Sequence, residues 1–180
     1  MRVHVVTHHL EMTDPAQLRP AQPSRDAYAW QAVARPDPEL AHFLYRSVGG
    51  EWYWLNRLSW SRAQWTAHVA RSALSLWVGA VGGAPAGYAE METQAGGAVE
   101  ILYFGVRPAW IGRGLGGALL TEAVRSAWGL GARRVWLHTC TLDHPAALAH
   151  YQARGFRVFK VEEGDEDVPE RSPGYWGGES

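Results

Sequence analysis

One cysteine, at position 140, and one lysine, at position 160, are all that the 180-residue chain carries of either type. A lone thiol excludes an intramolecular disulfide framework and suits a reducing compartment. Seventeen basic against 18 acidic residues give a formal charge of −1, so the basic excess that nucleic-acid binders show is missing. No apolar run approaches the roughly 18 residues that a bilayer span needs, and no charged-then-apolar leader opens the sequence. No Gly-Lys-Ser/Thr occurs, which excludes a Walker-type phosphate loop. The expectation is a soluble, cytoplasmic protein with no nucleic-acid and no membrane partner. A chain of this length suits one domain that buries roughly two-thirds of its unfolded surface.

Tryptophan, in contrast, is abundant. Ten are present, and Trp52, Trp54, Trp60 and Trp65 fall within fourteen residues. Each ring buries a large area, so core packing accounts for any one of them; four together fit the wall of a pocket.

Hydrophobic periodicity divides the chain into alternating elements. Val3 to Met12 reads as a strand with imperfect alternation, and residues 13–26, with three prolines, as a connector. Tyr28 to Val33 alternates as a strand. Asp37-Pro38-Glu39 starts a helix that Gly49-Gly50 ends, and Ser61 caps a second one through about Ser72. Leu76 to Val81 and Gly87 to Glu92 flank the hairpin signal Gly82-Gly83-Ala84-Pro85. Val99 to Val106 is a further strand, Gly114 to Trp128 a helix with a broad apolar stripe, and Arg134 to Cys140 a strand. A helix over Pro145 to Arg154 and a strand over Phe156 to Val161 follow. The rest is acidic and rich in Pro and Gly, and reads as a mobile tail.

The stretch Val106 to Leu120, VRPAWIGRGLGGALL, carries the functional signal. Glycines at a strand-to-helix turn let backbone N–H groups converge, and the helix start adds its positive dipole end, which suits a phosphate or pyrophosphate. Gly112-x-Gly114-x-x-Gly117 formally fits a dinucleotide fingerprint. That reading needs an acidic residue about 20 positions on to hold a ribose, and none lies between Glu122 and Asp143.

Val106-x-Pro108-x-Trp110-Ile111-Gly112-Arg113-Gly114-Leu115-Gly116 resembles the V-x-P-x-x-[QR]-G-x-G-x-G/A motif of the GCN5-related N-acetyltransferase (GNAT) superfamily. Downstream, His144-Pro-Ala-Ala147-x-x-x-Tyr151-x-x-x-Gly155-Phe156 resembles the family's N-x-x-A-x-x-x-Y-x-x-x-G-F segment. The likeness is clear over about residues 76–162 and rests on pattern alone over 26–75. Ile111 stands where the motif has Gln or Arg, and His144 where it has Asn. The resemblance implies an α/β (α+β) fold, a mixed twisted sheet of about six to seven strands with helices on both faces. It divides the chain into an N-terminal strand and connector (1–25), an acetyltransferase domain (26–162) and an acidic mobile tail (163–180).

The activity so implied is transfer of the acetyl group of acetyl-CoA, as co-substrate and without a metal, to a primary amine by direct attack in a ternary complex. Phe104, Gly105 and Val106 are expected along the pantetheine, and Ile111, Gly112, Arg113, Gly114, Leu115, Gly116, Gly117 and His144 around the cofactor's phosphates and chain. An amine of pKa near 10.4 is neutral in roughly one molecule per thousand or fewer at pH 7, so a base matters. Glu100, six residues before Val106, is the candidate base, because histone-type members carry their catalytic Glu there. Tyr151 is the candidate acid for the departing thiolate. Glu90 and Glu92 share a strand face and, with Trp52, Trp54 and Trp60, are expected to meet a small-molecule amine. Sheet cover or a homodimer contact is the competing role for those rings. A protein or peptide acceptor, and a domain that binds acyl-CoA without catalysis, are the alternative functions. His138-x-Cys140-x-x-x-His144 offers three donors at tempting spacing but lacks the fourth that structural zinc needs.

Overall fold

The architecture follows from a few local signals. In a computed structural model that describes residues 1–176, the Asp37 carboxylate accepts from the Leu40 N–H at 2.8 Å and Pro38 takes the first position of α1 (Pro38–Gly49). Ser61 and Gln64 close a reciprocal capping box on α2 (Arg62–Val69). Gly82 and Gly83, both at positive φ, turn β3 (Leu74–Val81) into β4 (Ala84–Gln94), the backbone that a twisted hairpin wants. The remaining elements are β1 (Arg2–Met12), β2 (Ala29–Ala32), β5 (Ala98–Val106), α3 (Leu115–Gly129), β6 (Arg134–Cys140), α4 (Ala147–Ala153) and β7 (Arg157–Asp167).

Seven strands form one mixed sheet in the order β2-β3-β4-β5-β6-β1-β7, antiparallel throughout except for the β5–β6 pair. Leu120, Ala123, Val124 and Ala127 of α3 pack on Met91, Val99, Ile101, Val135 and Leu137, with Leu148 and Tyr151 of α4 at the margin. On the opposite face, Leu44 and Val48 of α1 cover Leu76, Val78 and Tyr88, and Ala41, Tyr45 and Trp65 join α1 to α2. This is the GNAT-like sheet with helices on both faces.

Two boundaries differ from the sequence reading. The N-terminal strand is not an appendage: β1 is hydrogen-bonded on both edges, to β6 and β7, inside the sheet. Its alternation is weak because much of both faces is only half-buried. The acidic tail, too, begins later than residue 163. β7 runs on to Asp167 and is exposed along its whole length, so charge rather than alternation fills it. Beyond it the chain is docked: Tyr175 packs edge-on against Phe43, Arg46 donates to its carbonyl, and Ser172 donates to the Gly50 carbonyl. Positions 177–180 of that tail lie outside the described residues.

One irregularity shapes the site. Glu90 pairs with Tyr103 but Met91 with Ile101, so Leu102 is an extra residue on β5. Such a bulge bends its strand. β5 and β6 stay paired only from Ala98–Arg134 to Glu100–Trp136. Past that point they part, and a gap opens through the sheet.

Candidate active site

A cavity of about 510 Å³ fills the gap, within the size range of small-molecule sites. Ile101 to Val106 of β5 line one side, His138 and Cys140 of β6 the other. On the α3–α4 face its walls are Ile111, Gly112, Gly114, Gly116, Gly117, Ala147, His150 and Tyr151; on the α1–α2 face they are Trp52, Tyr53, Trp54 and Asn56. The cavity therefore passes from one face of the sheet to the other. Two ligands entering from opposite faces would meet at the splayed strands.

The glycine loop is built as the sequence anticipates. Gly112 and Gly114 sit at φ 79° and 82°, the region L side chains avoid, and α3 begins at Gly114 without a side-chain cap. Its first N–H groups are thereby left for a ligand. Two residues of the loop point elsewhere. The Arg113 guanidinium forms a bidentate pair with Asp26 at 2.6 Å and lies over Trp110, which ties the connector to the loop. The Leu115 side chain is fully buried against Ala86 and Leu119. Neither side chain lines the cavity; only their backbone groups remain for the cofactor role. Phe104, Gly105, Val106 and His144 do line it.

Glu100 is 6% exposed and stands behind the wall rather than in it. Gln94 Nε2 donates to its Oε2 at 2.8 Å, and its Oε1 lies 3.4 Å from His138 Nδ1. His138 faces the cavity, and the Glu100 contact holds its imidazole above the ordinary histidine pKa, against the effect of burial. A carboxylate behind an imidazole fixes its tautomer and strengthens it as a base. Across the gap, the half-buried Tyr151 phenol is pushed up by desolvation and by the charge of Asp143, which keeps its proton in place at neutral pH. The Cys140 thiol is raised by burial and by Asp143, against a role as nucleophile.

The tryptophans divide. Trp54 donates through Nε1 to Asp143 at 3.2 Å, spanning the gap from the α1–α2 loop to the loop after β6, and its ring packs on Tyr45 and Tyr103. Asp143 also accepts from Thr139 at 2.6 Å and from the Cys140 N–H at 3.0 Å. Trp52 meets the His144 ring edge-on with centroids 4.7 Å apart. Trp60 lies outside the cavity, packed on Trp65 and His68 under α2.

Glu90 and Glu92 do share a face, the one α1 and α2 cover, but neither reaches the cavity. Glu90 is 1% exposed and accepts from Arg57 at 2.8 and 3.0 Å and contacts His68 at 2.8 Å; Glu92 pairs with Arg71. Arg57 lies in an aromatic box, 4.5 Å from the Tyr103 centroid and 4.8 Å from that of Trp60. This buried pair anchors the loop that carries Trp52 and Trp54. Arg57→Met is expected to cost about 3–5 kcal/mol in denaturant unfolding, because it removes the cation paired with the buried Glu90 carboxylate and leaves it only the His68 contact. A double variant with Glu90→Gln should recover part of that loss; equal instability of single and double variants counts against the anchor.

Sequence reasoning weighed His138 only as a zinc donor, and missed His150, Asp143 and Arg57. His138 carried a signal: β6 runs beside β5 at Glu100, so its alternate residues Trp136 and His138 share the carboxylate's face.

The acetyltransferase (GNAT) family matches residues 22–156. Among solved structures, a GCN5-related N-acetyltransferase from Sphaerobacter thermophilus superposes with TM-score 0.68 at 18% identity, covering 90% of this chain and 51% of that one. One from Kribbella flavida gives 0.64 at 17% identity, with 91% and 58% covered. An aminoglycoside acetyltransferase from an uncultured soil metagenomic sample, solved with trehalose, gives 0.59 at 16% identity, with 71% and 86% covered. The chain thus spans about half the length of the first two. No curated protein matches. At these identities the structures show the fold, and the match over residues 22–156 adds the family: the chain belongs to the GNAT acetyltransferases.

Proposed function

We propose that the protein is a cytoplasmic enzyme that transfers the acetyl group of acetyl-CoA to the primary amine of a small molecule. The observation that carries this is the two-faced cavity: a glycine loop and uncapped helix start on one side, indole and phenol rings on the other, and His138 and Tyr151 between. Acetyl-CoA lies along Phe104 to Val106 with its diphosphate on the N–H groups of the Gly112–Gly117 loop. The amine enters past Trp52 and Trp54. His138, oriented by Glu100, takes the ammonium proton, the amine attacks the thioester carbonyl, and as the C–S bond breaks Tyr151 gives its proton to the departing sulfur while the surplus proton of the new amide nitrogen restores the phenol. Glu100 thus acts through the imidazole in front of it. The enclosing rings favour a small acceptor over a peptide laid in an open groove.

The test is a panel of primary amines incubated with acetyl-CoA, followed by release of free CoA thiol. Amine-dependent release supports the reading, and release at the background rate with every amine counts against it. Trp52 offers the cleanest check of the acceptor side, since its ring touches His144 and the cavity and no core cluster. Trp52→Ala is expected to raise the acceptor KM roughly two- to thirtyfold, the equivalent of a cation–π contact of about 0.5–2 kcal/mol. A KM that stays put, with the melting temperature unchanged, removes Trp52 from the acceptor site.

A further inference from the structure

Opposite the start of α3 stand two basic side chains that the glycine motif does not include. His150 and Arg154 lie one turn apart on α4 and both face the loop. A Cβ built on Gly116 would lie 3.8 Å from His150 Cε1, and one on Gly117 would lie 3.8 Å from His150 Nε2 and 3.4 Å from Arg154 Nη1. These are contact distances, so α4 lies directly against the first turn of α3, and at Gly117 the Ala21 Cβ, 2.8 Å from such a Cβ, leaves no room for a side chain. Arg154 Nε is buried and has no hydrogen-bond partner among the described residues. An unpartnered guanidinium N–H is costly, and Nη1 of the same group lies beside the first turn of α3, whose positive end also attracts an anion.

The loop itself supplies no side-chain cation to the cavity. Ile111 stands where the family motif has Gln or Arg, and Arg113 is occupied by Asp26. We propose that Arg154 and His150 are diphosphate ligands of the coenzyme, closing from α4 a site whose other wall is the N-terminus of α3. This rests on the acetyl-CoA reading above. The guanidinium fork donates to phosphate oxygens, and the imidazole donates through Nε2.

The groups around His150 fit an absent anion. From α4 it faces Arg154 and Tyr151, from the loop after β6 His144, from β5 the Phe104 ring, and from α3 only glycine backbone. Burial, Arg154 and His144 all act in one direction and bring its pKa down to about 4. Without ligand the imidazole is neutral at pH 7. A bound diphosphate reverses the balance, so binding draws a proton onto His150 and weakens as pH rises.

The experiment is titration calorimetry at about pH 7, near the ordinary histidine pKa, in two buffers of different ionisation enthalpy. Acetyl-CoA, inorganic pyrophosphate and acetyl-pantetheine, which lacks the diphosphate, are the three ligands. For the wild type, acetyl-CoA and pyrophosphate should bind with proton uptake and acetyl-pantetheine without it. Arg154→Met should weaken acetyl-CoA about ten- to a hundredfold, as expected for a lost charged hydrogen bond, and leave acetyl-pantetheine unchanged. His150→Gln should abolish the proton uptake. Arg154→Lys, which keeps the charge, guards against a folding defect and should fall between. Wild-type acetyl-CoA binding that neither variant weakens, with no buffer dependence, overturns this proposal alone. A wild type that binds neither acetyl-CoA nor pyrophosphate overturns the coenzyme reading as well.

Discussion

Replacing His138 with alanine is expected to lower turnover about 10²–10⁴-fold, the usual effect of removing a positioned base, and to leave the affinity for acetyl-CoA nearly intact. The separation is expected because, on the proposed reading, the coenzyme is held by the glycine loop and α4, which line the cavity from the other face. Glu100→Gln has a different signature. His138 must be neutral to accept a proton, so the rate rises with pH through its pKa. The contact with Glu100 holds that pKa above the ordinary value. Removing the charge lets it fall, so the acidic limb of the pH–rate profile moves to lower pH, and the maximal rate drops because the base is weaker. A His138→Ala enzyme of near-normal turnover would return the proton to water or another group. A Glu100→Gln limb that stays in place would uncouple the carboxylate from the imidazole.

Gly114→Asp is expected to abolish measurable acetyl-CoA binding, and Gly114→Asn to keep most of it. Both residues tolerate the left-handed backbone that φ 82° demands, and the nearest atoms to a new Cβ are Ser24 Cα at 3.8 Å and Pro23 O at 4.0 Å, ordinary contacts. The two side chains have nearly the same shape and differ in charge. A carboxylate at the start of α3 takes the anion's place at the helix dipole and repels the diphosphate. A difference of at least about a hundredfold between the two variants, roughly 2.7 kcal/mol, is expected by calorimetry. Equal affinities would mean that no anion binds at this turn.

Local grammar made most of the fold legible. Asp37, Ser61 and Gly82-Gly83 mark their caps and turn in the sequence, and the Gly112–Gly117 spacing places the loop at a helix start. What failed depended on pairing between distant segments. β1 reads poorly because its place in the sheet is set by hydrogen bonds on both edges, while its half-exposed faces blur the alternation. The Glu90–Glu92 face was read correctly and its tenant was not. Arg57, 33 residues away in a loop, occupies Glu90 and turns an apparent acceptor carboxylate into an anchor. Glu100 is legible as a carboxylate on an apolar strand, but its neighbour His138 lies on a strand brought alongside by a parallel crossover. The Leu102 bulge that opens the cavity leaves no trace in a strand whose residues are nearly all apolar.

Mass spectrometry of the amine panel after incubation with acetyl-CoA and the wild-type protein tests the central claim most directly. The account predicts one acetyl group gained by a primary amine, one CoA thiol released for each, and loss of both with His138→Ala. Acetyl-CoA that stays intact, or is hydrolysed with every amine unmodified, would contradict it.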